Sequence, residues 1–169
     1  MEIFLLGAGR PEHGLKPSAL TNIAQNTKAM DWQIHSFESV AGLSDIHYLG
    51  GYHVDEVIEN YPQLSYTVIP DWQNQTVLHT FLKAPFTEQP AIVAYSDTIF
   101  RKEIVLDMLS VDADVVFCVD SLWKERFDSR PIDDIHLAET IEVANSLVEF
   151  TGLVYFKSEA VKYLTVLEE

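Results

Sequence analysis

The 169-residue sequence predicts one α/β domain, a three-layer α/β/α sandwich built on a mostly parallel sheet. Two observations carry that expectation. Short apolar runs alternate with segments whose apolar residues recur at helical spacing, the pattern of successive βαβ units. Three motifs then fall at predicted strand ends, where open α/β sheets bind ligands: "GAGR" from residue 7, "GGY" at 50–52 and "SDTIF" at 96–100.

Taken in order, "EIFLL" (2–6) is a short strand that breaks into a loop holding Gly7, Gly9 and Gly14. "TKAMDWQIHSFESV" (27–40) spaces Met30, Gln33/Ile34, Phe37 and Val40 as one helix face, with Asn26 or Thr27 as the expected cap. "DIHYLGG" (45–51) is a strand ending in two glycines, and "HVDEVIENY" (53–61) is a helix stopped by Pro62. The strand "SYTVI" (65–69) and the helix "TVLHTFLKA" (76–84) follow, then "AIVAYSD" (91–97), the most apolar strand of the chain. "KEIVLDMLSV" (102–111) is helical, and "ADVVFCVD" (113–120) is expected to be a buried strand with Cys118 inside it. "LAETIEV" (137–143) and "SLVEFTGLVYF" (146–156) are strands, and "SEAVKYLTVL" (158–167) is the last helix. No repeat, low-complexity tract or Gly/Ser linker divides the chain.

Composition narrows the function. Hydrophobic residues make up 47% and charged residues 22%, as in ordinary globular proteins. No apolar run is long enough to span a bilayer, the first residues lack the basic leader of a signal peptide, and a lone cysteine forms no internal disulfide. The expected compartment is the cytoplasm. Eleven Lys+Arg against 26 Asp+Glu give a net charge of −15 with no basic stripe, which argues against nucleic acid as a partner. The six histidines show no His-Glu-x-x-His pairing for zinc, and no Gly-x-Ser-x-Gly elbow points to a hydrolase.

In so acidic a chain, cations gathered in one glycine loop are informative. Arg10 and Lys16, with His13 between them, suit an anion. Glycines let a backbone approach phosphate oxygens closely, while lysine supplies a point charge and arginine a fork. The loop is neither a dinucleotide fingerprint nor a P-loop, since no helix follows Gly9 directly and no Gly-Lys-Ser/Thr triplet occurs. Asp97 is either the N-cap of the helix that follows or a ligand for a hard cation such as magnesium. "DSLWKERF" (120–127) either lines a pocket for a charged small molecule with Asp120, Trp123, Lys124 and Arg126, or is a surface turn with Trp123 folded onto the core.

"LLGAGR" with "LKPSAL", "GGYHVDEVIENYP", "AYSDTIF", "DADVVFCVDSLWKERF" and "EFTGLVYFKSEAV" together resemble, in order and over nearly the whole chain, the nucleotidyltransferases of the nucleotide-diphospho-sugar transferase (Rossmann-like) fold. The last two stretches are most similar to the branch of phosphocholine and 2-aminoethylphosphonate cytidylyltransferases. The resemblance implies that Gly7, Ala8, Gly9 and Arg10 wrap a triphosphate, with Lys16 and Arg10 as the catalytic cations. It places Asp97 on Mg²⁺, and Gln75, Thr76 and Tyr95 near the base and ribose. Asp120, Trp123, Arg126, Glu149 and Gly152 would receive a phosphate- or phosphonate-bearing small molecule. The implied reaction moves CMP from CTP to that molecule and releases pyrophosphate; the alternative is a non-catalytic module that binds a nucleotide or sugar nucleotide. The loop between Arg10 and Lys16 is shorter than in many members of the family. Members also usually continue past "EFTGL" and supply a second metal-binding aspartate. Residues 1–169 are therefore expected to be a nucleotidyltransferase-like domain forming the N-terminal part of a longer protein, with a fused C-terminal domain.

Overall fold

A computed structural model of the chain describes residues 1–11, 14–128, 135, 138–164 and 166. Its strands are β1 (Glu2–Gly7), β2 (Asn22–Ala24), β3 (Thr27–Lys28), β4 (Ile46–Gly50), β5 (Ser65–Val68), β6 (Ala91–Tyr95), β7 (Val115–Asp120), β8 (Thr140–Val143) and β9 (Ser146–Phe156). Its helices are α1 (Ala29–Phe37), α2 (Val54–Asn60), α3 (Val77–Phe81), α4 (Lys102–Ser110), α5 (Trp123–Phe127) and α6 (Ser158–Leu164). The main sheet runs β5-β4-β1-β6-β9-β7, with β8 also paired to β9. β1 is parallel to β4 and β6, and β4 to β5, whereas β9 is antiparallel to β6, β7 and β8. Among the described strands of the main sheet, only β9 opposes the common direction. This is the expected α/β architecture with a mostly parallel sheet.

Alternation along the central strands builds two cores, because successive side chains of a strand leave opposite faces. Ile3, Leu5, Ile92, Ala94, Leu153 and Tyr155 face one way, toward Met30, Phe37, Val57, Val105 and Met108 from α1, α2 and α4. Phe4, Leu6, Ala91, Val93, Val154 and Phe156 face the other, where Phe81 of α3 and Val161 of α6 pack. The chain leaves β1 toward β4 and β5 on one side and returns to β6 on the other. That reversal of strand order opens a crevice at the carboxyl ends of β1 and β6. Among the described residues, no helix is long and apolar enough to cross a membrane.

Three local expectations need correction. Helix α1 begins at Ala29, not after a cap at Asn26 or Thr27. Asn26 takes φ 62° at the turn of the β2–β3 hairpin, a conformation asparagine tolerates, and the Lys28 amide donates to Asp31 Oδ2 at 2.8 Å to start the helix. β7 is not buried: it ends the sheet path, and Val115, Phe117 and Val119 along one face are 36%, 55% and 39% exposed. Cys118, on its other face, is half-buried rather than buried, with its thiol donating to Met108 Sδ at 3.5 Å. The strand expected over 137–143 begins at Thr140, and Ala144 and Asn145 join it to β9 with positive φ, as a two-residue hairpin turn requires. The far end of the last predicted helix, at residue 167, lies outside the described residues.

Candidate functional site

The glycine loop leaves β1 with its backbone gripped from the end of β4. The Tyr48 hydroxyl donates to the Gly7 carbonyl at 3.0 Å, and the Tyr52 amide donates to the Ala8 carbonyl at 2.9 Å. Tyr52 reaches further, donating its hydroxyl to the Leu15 carbonyl at 3.2 Å while the Arg10 guanidinium lies over its ring, 5.6 Å from the centroid. Gly51 is required here, since a Cβ would stand 2.5 Å from Trp72 Cβ and 2.8 Å from the Ala8 oxygen. Gly9, by contrast, has open space before it. A pocket of about 300 Å³ results, lined by Gly7 to Arg10, Trp72, Gln75, Thr76, Tyr95 and Asp97. It therefore brings together seven of the residues singled out in the sequence for the nucleotide and its phosphates, and Asp97 with them.

Lys16 does not line it; that side chain is exposed at the far end of the loop. Gln75 and Thr76 are partly committed elsewhere. The Gln75 side-chain amide donates to Asp71 Oδ2, and Thr76 caps α3 by accepting the His79 amide at 3.3 Å. Trp72 is a lining residue that the sequence reading missed. Its signal was there: a tryptophan in the loop that follows β5, three residues before Gln75.

Asp97 closes β6 and faces both this pocket and a larger one. It is not the cap of α4, whose N-cap position is Arg101. The loop that carries it is held from below by α1. Gln33, wholly buried, donates Nε2 to the carbonyls of Tyr95 (2.7 Å) and Thr98 (2.9 Å), on either side of Asp97. Trp32 Nε1 and Ser36 Oγ both donate to the Phe100 carbonyl, at 2.5 and 3.0 Å. The Asp97 carboxylate makes no hydrogen bond or ion pair among the described residues, and no three His, Cys, Asp or Glu side chains among them are placed to hold one metal ion together. The donor set fits magnesium in one way: a single carboxylate with the remaining positions taken by phosphate oxygens and water, which that ion accepts.

The larger cleft, about 1000 Å³, opens on the β6–β9–β7 side of Asp97. Tyr95 is its shared wall with the first pocket. The Tyr95 hydroxyl donates to Glu139 Oε2 at 2.9 Å, and burial together with that carboxylate holds the phenol above its ordinary pKa, so it stays a donor. Arg126 Nε donates to Asp120 Oδ2 at 2.8 Å and its Nη2 donates to Glu149. Asp120, Arg126 and Glu149 thus meet in one cleft. Gly152 lies behind the Tyr95 ring rather than on the cleft surface. Trp123 is corrected: it is 3% exposed, its indole N–H donates to the Leu147 carbonyl at 3.1 Å, and it stacks edge-on against Phe127, so it belongs to the core and not to the cleft. Burial raises the pKa of Cys118, which also borders the cleft, and keeps it a thiol rather than a nucleophile. Arg101 lines the same cleft and was missed, because "FRKE" reads as the solvated start of a helix.

No protein-family model matches the chain, and no curated protein matches it in sequence. Solved structures do. A candidate glucose-1-phosphate thymidylyltransferase from Bacillus anthracis superposes with a TM-score of 0.65 at 15% identity, over 99% of this chain and 76% of its own. The CTP:phosphocholine cytidylyltransferase of Streptococcus pneumoniae gives 0.61 at 12% identity over 97% and 75%. The inositol-1-phosphate CTP transferase of T. maritima gives 0.60 at 11% identity over 95% and 72%. At such identities the likeness defines the fold: the chain shares the α/β architecture of these three proteins.

Proposed function

We propose that the chain is a nucleotidyltransferase that moves CMP from CTP to a phosphate- or phosphonate-bearing small molecule and releases pyrophosphate. The observation that carries this reading is the meeting of two pockets at Asp97 and Tyr95, one walled by the glycine loop and one by Asp120, Arg126 and Glu149. Two bound anions, one in each pocket, would approach each other there. An oxygen of the acceptor would attack the α-phosphorus, and the bond to the β-phosphate would break as pyrophosphate leaves. The attacking oxygen is already ionised at neutral pH, so no general base is needed. Catalysis then reduces to aligning the reactants and compensating charge. Arg10 and the loop amides are suited to the departing pyrophosphate, and Lys16, on the same loop, is the cation proposed for the α-phosphate. Magnesium held by Asp97 would offset negative charge on the phosphates. The fold shared with three proteins bearing transferase names supports the reading, and the cytidylyltransferase branch rests on the sequence resemblance.

One observation favours a second reading, a binding module without turnover: Lys16 stands off the pocket lining. A steady-state pyrophosphate assay with CTP, Mg²⁺ and phosphocholine or 2-aminoethylphosphonate separates the two. Release that depends on both substrates and drops about a hundredfold or more in Lys16→Ala, at unchanged melting temperature, is the expected result. Metal-dependent CTP binding without release would leave the binding module.

A further inference from the structure

The large cleft is lined by four carboxylates, Asp97, Asp120, Glu139 and Glu149, and two guanidiniums, Arg101 and Arg126. Their pairing is unequal. Arg126 is bound by Asp120 and Glu149 together, so that group of three carries net negative charge. Asp120 is held in place as well, since its Oδ1 accepts the Leu122 amide at 2.8 Å. Glu139 is engaged with the neutral Tyr95 hydroxyl and has no ion-pair partner among the described residues. Arg101, in contrast, makes no ion pair or side-chain hydrogen bond among the described residues. It follows Phe100, whose carbonyl accepts from both Trp32 and Ser36, so its backbone is fixed on the same braced loop as Asp97.

We infer that Arg101, rather than Arg126, receives the anionic group of the acceptor. An anion placed at Arg126 would have to displace or lie beside two carboxylates, whereas the guanidinium of Arg101 is uncommitted and offers a forked pair of donors. The position also suits the chemistry. Arg101 lines the same cleft as Asp97, where the two pockets meet, so an anion held by it shares the cleft that opens onto the glycine-loop pocket. Arg126 is then a fixed element of the cleft wall, tying α5 to β7 and β9 across Asp120 and Glu149. The inference rests on the proposed function for the word acceptor, but the binding it describes is measurable without turnover.

The test is titration calorimetry with phosphocholine and 2-aminoethylphosphonate as probes, on the wild-type chain and on Arg101→Gln, Arg101→Lys, Lys102→Gln, Arg126→Gln and Arg10→Gln. Loss of a charged hydrogen-bond donor should weaken the probe in Arg101→Gln by about tenfold or more. Arg101→Lys should recover part of that loss, and Lys102→Gln should stay within about twofold of wild type, as a charge next door that does not line the cleft. Arg101→Gln should melt as the wild type does, while Arg126→Gln should melt lower because it strands two carboxylates. Several outcomes overturn the inference: unchanged binding in Arg101→Gln, a larger loss in Arg126→Gln than in Arg101→Gln, an equal loss in Arg10→Gln (which would put the probe in the glycine loop), or no binding to the wild type. Selective loss in Arg101→Gln with no pyrophosphate release under any condition would sink the transferase reading and keep Arg101 as the anion site.

Discussion

Gly152 shows how much a single backbone position decides in this site. Its φ of 77° lies in the left-handed region, and a Cβ there would stand 2.6 Å from Tyr95 Cγ and 3.0 Å from Tyr95 Cβ. The ring of Tyr95 is therefore seated directly against the β9 backbone, with Phe150 edge-on to it at 5.9 Å. "EFTGL" drew attention to Gly152 as part of a substrate pocket, yet its physical role is to let the wall between the two pockets stand where it does. Gly152→Ala combines backbone strain with a clash against a ring that is also tied to Glu139. The strain alone costs about 1–3 kcal/mol, and a loss of about 2 kcal/mol lowers the melting temperature of a chain of this size by roughly 4–8 °C. Calorimetry checks the stability. A variant that melts like the wild type would mean that Tyr95 can move aside freely, and the partition between the pockets would then be soft.

At the scale of elements, helix α1 does more than cover the sheet. Trp32, Gln33 and Ser36 lie on one face of it and donate to the carbonyls of residues 95, 98 and 100, so a single helix satisfies the backbone of the loop that presents Asp97 and Arg101. Because both partners of Gln33 Nε2 are acceptors, the amide orientation is fixed, and Oε1 is left buried without a partner among the described residues. Replacing Gln33 by Met removes two buried hydrogen bonds and that orphan together. The Thr98 carbonyl is left unpaired and the Tyr95 carbonyl keeps only the Thr98 amide, so a net loss of about 1–3 kcal/mol is expected. Amide exchange should quicken at Ser96 and Thr98, whose N–H groups bond Leu6 and Tyr95 carbonyls, more than at the centre of β1. Uniform quickening would instead report a general loss of stability. None of this brace was legible in the sequence, where Gln33 counted only as one step of a helical period. Periodicity gave the order of strands and helices and the placing of three motifs at strand ends, because both follow from local spacing. It did not give the exposure of β7 or decide between the two readings of Trp123, since those depend on which strand lies at the sheet edge and which face a helix covers. Arg101 was hidden for the same reason: its isolation from carboxylates is a tertiary fact.

For the whole molecule, the net charge of −15 and one half-buried histidine pull stability in opposite directions as pH falls. Lowering the pH toward the sequence pI of about 4.6 relieves self-repulsion and favours the compact state. His47 acts the other way. It sits on β4 between Phe4, at 5.8 Å, and Thr67, whose Oγ1 is 2.7 Å from Nε2, and burial lowers its pKa below the ordinary 6.5 despite the opposing influence of Glu2. In the interval between that lowered value and 6.5, the unfolded chain binds a proton that the folded one refuses, so stability rises with pH there. The contribution is complete above 6.5, declines as pH falls through the interval, and is gone below the folded pKa. His47→Gln keeps a group able to bond Thr67 and removes the titration, while leaving the net charge at neutral pH as it is. Melting curves of wild type and His47→Gln, taken at matched salt from about pH 7.5 to pH 5.5, isolate the histidine from the general charge effect, which both chains share. The wild type should lose stability relative to the variant as the pH drops. A difference between the two melting temperatures that stays constant over this range would mean that the folded protein accepts the His47 proton as readily as the unfolded chain does.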